Sequence, residues 1–96
     1  MSLNYSMNYY MVRVGVGVDL RFVLKQIANG KYRVTLHCQY RMIERSVSHR
    51  DIRNCAKVGV ANWDDDKIRI IGRDIDHEEL TLICVFEEDV LLITVF

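Results

Sequence analysis

The chain has 96 residues, of which 50% are hydrophobic and 27% charged, a composition that excludes intrinsic disorder and fits one globular domain. Its longest apolar runs, residues 80–86 and 90–96, are far short of the roughly 20 residues of a membrane-spanning helix, and no secretory signal is evident, so a cytoplasmic protein is expected. The net charge is zero, but residues 13–57 carry ten Lys and Arg against three Asp and Glu, and residues 58–96 carry three against ten.

Residues 1–18 are predicted to be a leader or an edge strand, ahead of a single α+β domain over residues 19–96. Apolar side chains occupy alternate positions of the first segment, at Tyr10, Val12, Val14, Val16 and Val18. This is the period of a half-buried strand, which Gly15 and Gly17 weaken. A surface or homodimer contact is the expected role of this segment.

Three amphipathic helices are predicted in the basic half of the chain. Their starts are marked by side chains that accept hydrogen bonds from the first helical amides. The expected N-caps are Asp19, Thr35 and Ser48, and glycines are expected to end the first and third helices at Gly30 and Gly59. Between the first two helices, residues 31–34 are expected to form a short extended link.

The second helix, predicted over residues 36–45, carries the densest group of functional side chains. His37, Arg41 and Arg45 lie at i, i+4 and i+8 and therefore share one face. An imidazole beside two guanidinium groups can bind phosphate, because arginine offers a planar fork of donors that matches phosphate oxygens. The alternative is a solvated face in which the arginines pair with nearby carboxylates.

The third helix is predicted to begin with a capping box formed by Ser48 and Asp51. Arg50, Arg53 and Lys57 follow at i, i+3 and i+7 and form a second basic stripe. This stripe can position nucleic-acid phosphates or simply be solvated. The division of charge along the chain fits the first possibility, and it equally fits basic helices that neutralise an acidic sheet within the monomer.

After Ala61 the apolar period changes from that of a helix to that of strands. Residues 62–66 are predicted to be a turn, and strands are predicted over residues 67–73, 80–87 and 90–96. Short turns between them favour an antiparallel meander of three to four strands. The expected fold is therefore α+β, with two to three N-terminal helices packed on one face of this meander.

No metal or cofactor is expected. Cys38, Cys55 and Cys84 are an odd number without the spacing of a zinc site, and they are predicted to be buried free thiols. The acids of residues 62–66 lack the spacing and the closing Glu of a calcium loop. Two glycines, Gly15 and Gly17, are too few for a dinucleotide-binding loop.

The segment from His37 to Arg45 resembles the motif His-x-x-x-Arg-Met-x-x-Arg of a small prokaryotic family, the domain of unknown function 4258. The resemblance continues through a Ser-led helix at Ser48 and a final strand that reads Leu-Ile-Thr-Val-Phe at residues 92–96. It covers the chain from about Asp19 to the C-terminus. In the family pattern a glycine stands where this chain has Ser46 and a tyrosine where it ends in Phe96.

At fold level that family is similar to the small ribonucleases and toxins of the barnase, colicin and RelE group. The resemblance implies a candidate ribonuclease site at His37, Arg41, Arg45 and Thr94. It also implies that the hydroxyl of the usual closing tyrosine is missing from this chain.

Two functions are therefore expected. The first is a toxin-like, metal-independent ribonuclease, in which His37 is the base, Arg41 and Arg45 stabilise the charge on phosphorus, and Tyr40 or Glu44 supplies the proton. The second is a non-catalytic module that binds RNA or protein through the basic helices. The expected partners are RNA and a protein antitoxin or a second copy of the chain.

Overall fold

The structure, a computed structural model, describes residues 18–96, so the predicted leader or edge strand lies almost wholly outside the described residues. The described chain has an α+β fold with three helices and one five-stranded sheet, which confirms the predicted class. The elements in chain order are α1 (Leu20–Ala28), β1 (Arg33–Val34), α2 (Leu36–Arg45), α3 (His49–Val58), β2 (Val60–Asp64), β3 (Lys67–Arg73), β4 (Glu79–Phe86) and β5 (Val90–Val95). None of these helices is long and apolar enough to cross a membrane.

The sheet is larger than the predicted meander and it is mixed. Its strand order is β1-β5-β4-β3-β2, in which β2 to β5 pair in antiparallel fashion and β1 pairs with β5 in parallel. The predicted antiparallel meander corresponds to β2 to β5, but the prediction missed the parallel strand β1 because it took residues 31–34 as a link, and it took residues 62–66 as a turn. The first contains the two-residue strand β1, and the second begins inside β2, an edge strand whose polar residues resemble a turn.

The predicted helix starts are confirmed by the hydrogen bonds at each cap. The side chain of Asp19 accepts from an amide of α1, and that of Thr35 accepts from an amide of α2. Ser48 and Asp51 form the expected capping box at α3. After α1, Gly30 has φ +78°, the left-handed conformation in which glycine carries no Cβ penalty.

One hydrophobic core joins the three helices to one face of the sheet. Cross-strand register places the inward side chains of β3, β4 and β5 on a common face, and the helices cover it. The fully buried contributors are Val23, Ile27, Cys38, Ile52, Cys55, Ile68, Ile70, Leu82, Cys84, Val90, Leu92 and Val95. All three cysteines are free and buried, as predicted.

The position of α3 on the sheet is fixed by glycines at the contact. A Cβ added at Gly72 would overlap the carbonyl oxygen of Cys55, and one added at Gly59 would lie 2.5 Å from the same oxygen. The Cys55 thiol donates to the carbonyl of Leu80 at 3.2 Å. The backbone of α3 therefore lies directly against β3, which sets where the basic side chains of α3 emerge.

Candidate nucleic-acid interface

The basic flank of α2 consists of His37, Arg41 and Arg45. His37 and Arg45 are exposed, whereas the side chain of Arg41 retains only 31% of its accessible surface. Arg41 lies 3.4 Å from Glu44, a long and solvated contact that contributes little stability. Within residues 18–96 no carboxylate lies within ion-pair distance of Arg45. The flank therefore keeps donors available to solvent.

The N-terminus of α2 is anchored to β5 beside Thr94. The hydroxyl of Thr35 donates to the carbonyl of Ile93 at 3.1 Å, and its amide donates to the carbonyl of Leu92 at 3.0 Å. At this level the pairing of β4 with β5 shifts register, an irregularity of the kind that re-aims side chains near functional sites. The first turn of α2 is thus tied to the backbone one residue before Thr94.

Thr94 is half-buried on β5, where it pairs with Ile83. This pair lies on the sheet face that points away from the helix-covered core. Among residues 18–96 no hydrogen bond joins Thr94 to His37, Arg41 or Arg45. The four residues implied by the resemblance are therefore held on neighbouring elements, α2 and β5, without a hydrogen bond between Thr94 and the other three in the described part of the chain.

The second basic stripe forms a defined concavity. Arg50, Arg53 and Lys57 line a polar cleft of about 200 Å³. Its other walls are Ala28 at the end of α1, Asn54 and Ile75. The amide of Asn54 donates to the carbonyls of Arg73 and Asp74, at 3.0 and 3.2 Å, and so holds the β3–β4 turn at the cleft. The structure thus brings the three predicted cations together around one space.

Asp51 binds the β3–β4 turn at Ile75, a residue that lines this cleft. Its carboxylate is buried and accepts hydrogen bonds from the amide of Ser48 at 2.8 Å, the hydroxyl of Ser48 at 2.9 Å and the amide of Ile75 at 3.0 Å. Burial alone would raise the pKa of Asp51, but these bonds together with the charge of Arg50 outweigh it and lower the pKa. Asp51 therefore stays ionised and links the start of α3 to the β3–β4 turn.

Three acids of the sheet and its turns form ion pairs, and their partners are cations outside α3. The ion pairs of the sheet are Arg33–Asp89, Arg69–Asp64 and Lys67–Asp66. In the described part of the chain no carboxylate lies within ion-pair distance of Arg50, Arg53 or Lys57. Direct neutralisation of the basic helices by the acidic sheet, the alternative left open by the charge pattern, therefore has no ion pair to support it at α3.

Sequence reasoning missed a polar pair beside this stripe. The hydroxyl of Tyr32 lies 2.6 Å from Nδ1 of His49, and the two rings are 5.8 Å apart between centroids. Burial raises the pKa of Tyr32, and the nearby guanidinium of Arg53 opposes this effect. Tyr32 and His49 are 17 residues apart, so no local spacing marks them as neighbours.

The residue that ends α2 carries backbone strain. Ser46 has φ 55° and ψ 42°, the left-handed conformation that favours glycine. Its amide donates to the carbonyl of Ile43, and the next amide, of Val47, donates to that of Met42 at 2.8 Å. These bonds end α2 and lead the chain to Ser48, the N-cap of α3.

Among residues 18–96 no three His, Cys, Asp or Glu side chains are grouped as metal ligands. No curated protein and no solved structure matches the chain. One family model matches, described as Domain of unknown function (DUF4258), and it covers residues 34–96, from β1 through α2, α3 and the sheet. Because this match covers more than half of the sequence and includes the His37-to-Arg45 motif, the chain belongs to the DUF4258 family.

Proposed function

We propose that the protein binds single-stranded RNA through the basic surface formed by Arg50, Arg53 and Lys57. The observation that carries this proposal is the polar cleft of about 200 Å³ that gathers three cations of α3 without a carboxylate partner in residues 18–96. Phosphate oxygens satisfy such donors, and release of counterions from the nucleic acid drives binding.

The basic flank of α2 favours binding of single-stranded RNA over binding of double-stranded RNA. His37 is exposed, and Arg41 adds a planar guanidinium beside it. Unstacked bases pack on histidine rings and guanidinium planes, and such stacking is tolerant of sequence. The α3 cleft would hold the phosphates while the α2 flank contacts the bases.

The test is titration of a labelled single-stranded RNA of mixed sequence, followed by fluorescence anisotropy at several salt concentrations. Arg50→Ala and Lys57→Ala should each weaken binding and lower the slope of log affinity against log salt by about 1. Arg33→Ala is the matched control, because this arginine is exposed but paired with Asp89 at 2.9 Å. Equal affinity and slope in all three variants would refute the proposal.

Metal-independent cleavage of the bound RNA is a second candidate, favoured by the anchoring of α2 beside Thr94. His37 would remove the proton of the 2′-hydroxyl, and Arg41 and Arg45 would stabilise the charge on phosphorus. The proton for the leaving oxygen would come from Tyr40 or Glu44, since Phe96 stands at the position where the family pattern has a tyrosine.

Cleavage is tested by incubating the purified protein with mixed RNA, with and without a chelator. If the protein is a ribonuclease of this kind, products form in both conditions, and His37→Ala abolishes them while RNA binding remains. Cleavage that persists in His37→Ala would remove this residue from the mechanism. Binding without cleavage would leave the non-catalytic function.

A further inference from the structure

A hydrogen bond between a tyrosine and a histidine adjoins the polar cleft of α3. The hydroxyl of Tyr32, the residue before β1, lies 2.6 Å from Nδ1 of His49, the first residue of α3. Tyr32 is half-buried, whereas His49 is exposed. Within residues 18–96 no hydrogen bond involves Nε2, the other ring nitrogen of His49. The protein therefore fixes one side of this imidazole and leaves the other side available to a ligand.

The period of the helix places His49 beside the cations of α3. At about 100° per residue, Arg53 lies about 40° from His49 around the helix axis. Lys57 and Arg50 follow on the same side, at about 80° and about 100°. Asp51, the one carboxylate of α3, lies about 160° away, and its oxygens are held by the hydrogen bonds described above. His49 therefore extends the cationic face of α3 and has no acid of that helix beside it.

Arg53 connects this histidine to the cleft. It is one of the three cations that line the cleft. Burial raises the pKa of Tyr32, and the guanidinium of Arg53 lies close enough to the hydroxyl to oppose that effect. A guanidinium carries only donors, so it can donate to the phenol oxygen but cannot accept from it. The hydroxyl of Tyr32 therefore lies between a donor group on Arg53 and the ring of His49.

These contacts determine which ring nitrogen of His49 carries the hydrogen when the imidazole is neutral. The phenol of Tyr32 keeps its proton near neutral pH, because its pKa is raised. The cation beside it favours the phenol oxygen as an acceptor, so the O–H is directed at Nδ1 of His49. A neutral imidazole that accepts at Nδ1 carries its hydrogen on Nε2. His49 therefore offers an N–H donor on the side that faces away from Tyr32.

We propose that His49 donates a hydrogen bond from Nε2 to a phosphate oxygen of bound RNA, and that Tyr32 is the positioning residue that orients the imidazole for this contact. The inference rests on the proposed RNA binding and adds an uncharged donor to the cations of the α3 cleft. A strand whose phosphate is bound by Arg53 passes this donor on the same face of the helix. Phosphate contacts position a strand but do not read its sequence, so His49 should act equally on different sequences.

The test measures binding of labelled oligo(A) and oligo(U) RNA of equal length by fluorescence anisotropy at pH 8, where histidine is ordinarily neutral. His49→Ala should weaken binding of both by about ten-fold, the effect of losing one hydrogen bond to a charged group. A neutral donor displaces no counterion, so the slope of log affinity against log salt should stay unchanged. Arg50→Ala should lower that slope by about 1.

Two further measurements test the role of Tyr32. Tyr32→Phe keeps the ring but removes the hydroxyl, and it should weaken binding less than His49→Ala does. The double variant should bind no more weakly than His49→Ala alone, because Tyr32 acts only through His49. Proton–nitrogen correlation NMR of the native imidazole at pH 8 should place the hydrogen on Nε2, and Tyr32→Phe should give a mixture of the two tautomers.

His77→Asn is the matched control for loss of an imidazole. His77 is also exposed, its ring makes no hydrogen bond within residues 18–96, and asparagine tolerates the left-handed backbone at φ 69°. This variant should bind RNA as the native chain does. Circular dichroism verifies that His49→Ala and Tyr32→Phe are folded, and the NMR spectrum of the native chain tests the tautomer without any substitution.

Several results would overturn this inference while RNA binding by α3 stands. They are unchanged affinity in His49→Ala, a hydrogen on Nδ1 of the native imidazole, and additive losses in the double variant. A lower salt slope in His49→Ala would assign the residue a structural role in placing the cations. A loss that differs between oligo(A) and oligo(U) would assign it to a base contact. If the native chain binds neither RNA, the proposed function fails and this inference fails with it.

Discussion

Replacing Gly72 with alanine tests the contact that positions α3 on the sheet. A Cβ at this position would overlap the carbonyl oxygen of Cys55 and lie 3.0 Å from its sulfur. The oxygen belongs to the helix backbone, so relief requires a shift of α3 or of β3 as a whole. Rotation of a side chain cannot remove the overlap.

The expected loss in the free energy of unfolding follows from the fact that a backbone atom, which cannot rotate away, is the obstacle. Overpacking of a well-packed core typically costs about 1–3 kcal/mol, and a backbone atom as the obstacle places Gly72→Ala in the upper part of that range. For a domain of this size, a loss of about 2 kcal/mol lowers Tm by about 8–16 °C. Displacement of α3 should also weaken RNA binding, because Arg50 and Lys57 move with it.

Urea unfolding followed by circular dichroism measures the effect. Lys67→Ala is the control, because it places alanine in the same strand at an exposed position, where the 3.5 Å ion pair with Asp66 contributes little, and it should change the free energy of unfolding by less than about 0.5 kcal/mol. Adding Cys55→Ala to Gly72→Ala removes the sulfur contact but leaves the carbonyl overlap, so it should not restore stability. A Gly72→Ala protein as stable as the native one would refute the close approach of α3 to β3.

Three further predictions concern other parts of the fold. Asp51→Asn should destabilise the protein near neutral pH, because the folded state lowers the pKa of this carboxyl and so favours its ionised form. The difference in urea midpoint between the variant and the native protein should therefore shrink as the pH falls below about 4 and through the folded pKa. Ser46→Gly should stabilise it by about 1 kcal/mol in the same assay, because glycine adopts the left-handed conformation without strain. Burial raises the pKa of Cys38 to about 11 and the pKa values of Cys55 and Cys84 to about 12, so all three thiols should react with Ellman's reagent at pH 8 only after unfolding.

The helices were predictable because their signals are local. The capping side chains of Asp19, Thr35 and Ser48 act on amides two or three residues away, within the same sequence window as the apolar period they precede. The start of α2 follows from such a signal alone. The long central strands were recognisable for a similar reason, since their β-branched residues alternate over several positions.

The edge strands were not predictable because their signals are not local. β1 has two residues, and its parallel partners on β5 lie 58 positions later in the chain, at Leu91 and Leu92. In β2 the side chain that packs on the core is Ala61, which is small and is followed by Asn62. The acids after Trp63 then resemble a turn, although the turn itself contains only Asp65 and Asp66. Pairing with β3 overrides this weak local preference.

In the candidate site, too, local spacing predicted some features and the tertiary fold determined the others. Helical spacing placed Arg50, Arg53 and Lys57 on one face, but it could not show that this face is concave. The concavity depends on Ala28 and Ile75, which the tertiary fold brings to α3 from distant parts of the chain. The exposure of Leu36, Tyr40 and Ile43 on α2 could not be predicted either, because an apolar stripe on a helix ordinarily indicates burial.

The segregation of charge therefore has a physical consequence that the zero net charge conceals. Three acids of the sheet half pair with cations outside α3, as in Arg69–Asp64 at 2.9 Å, and none of the ion pairs in residues 18–96 joins this half to α3. The cations of α3 have no such partner in residues 18–96, so their field extends into solvent over about a Debye length, roughly 8 Å at physiological salt. Binding of an anion to this face should therefore weaken steeply with added salt, even though the protein as a whole is neutral.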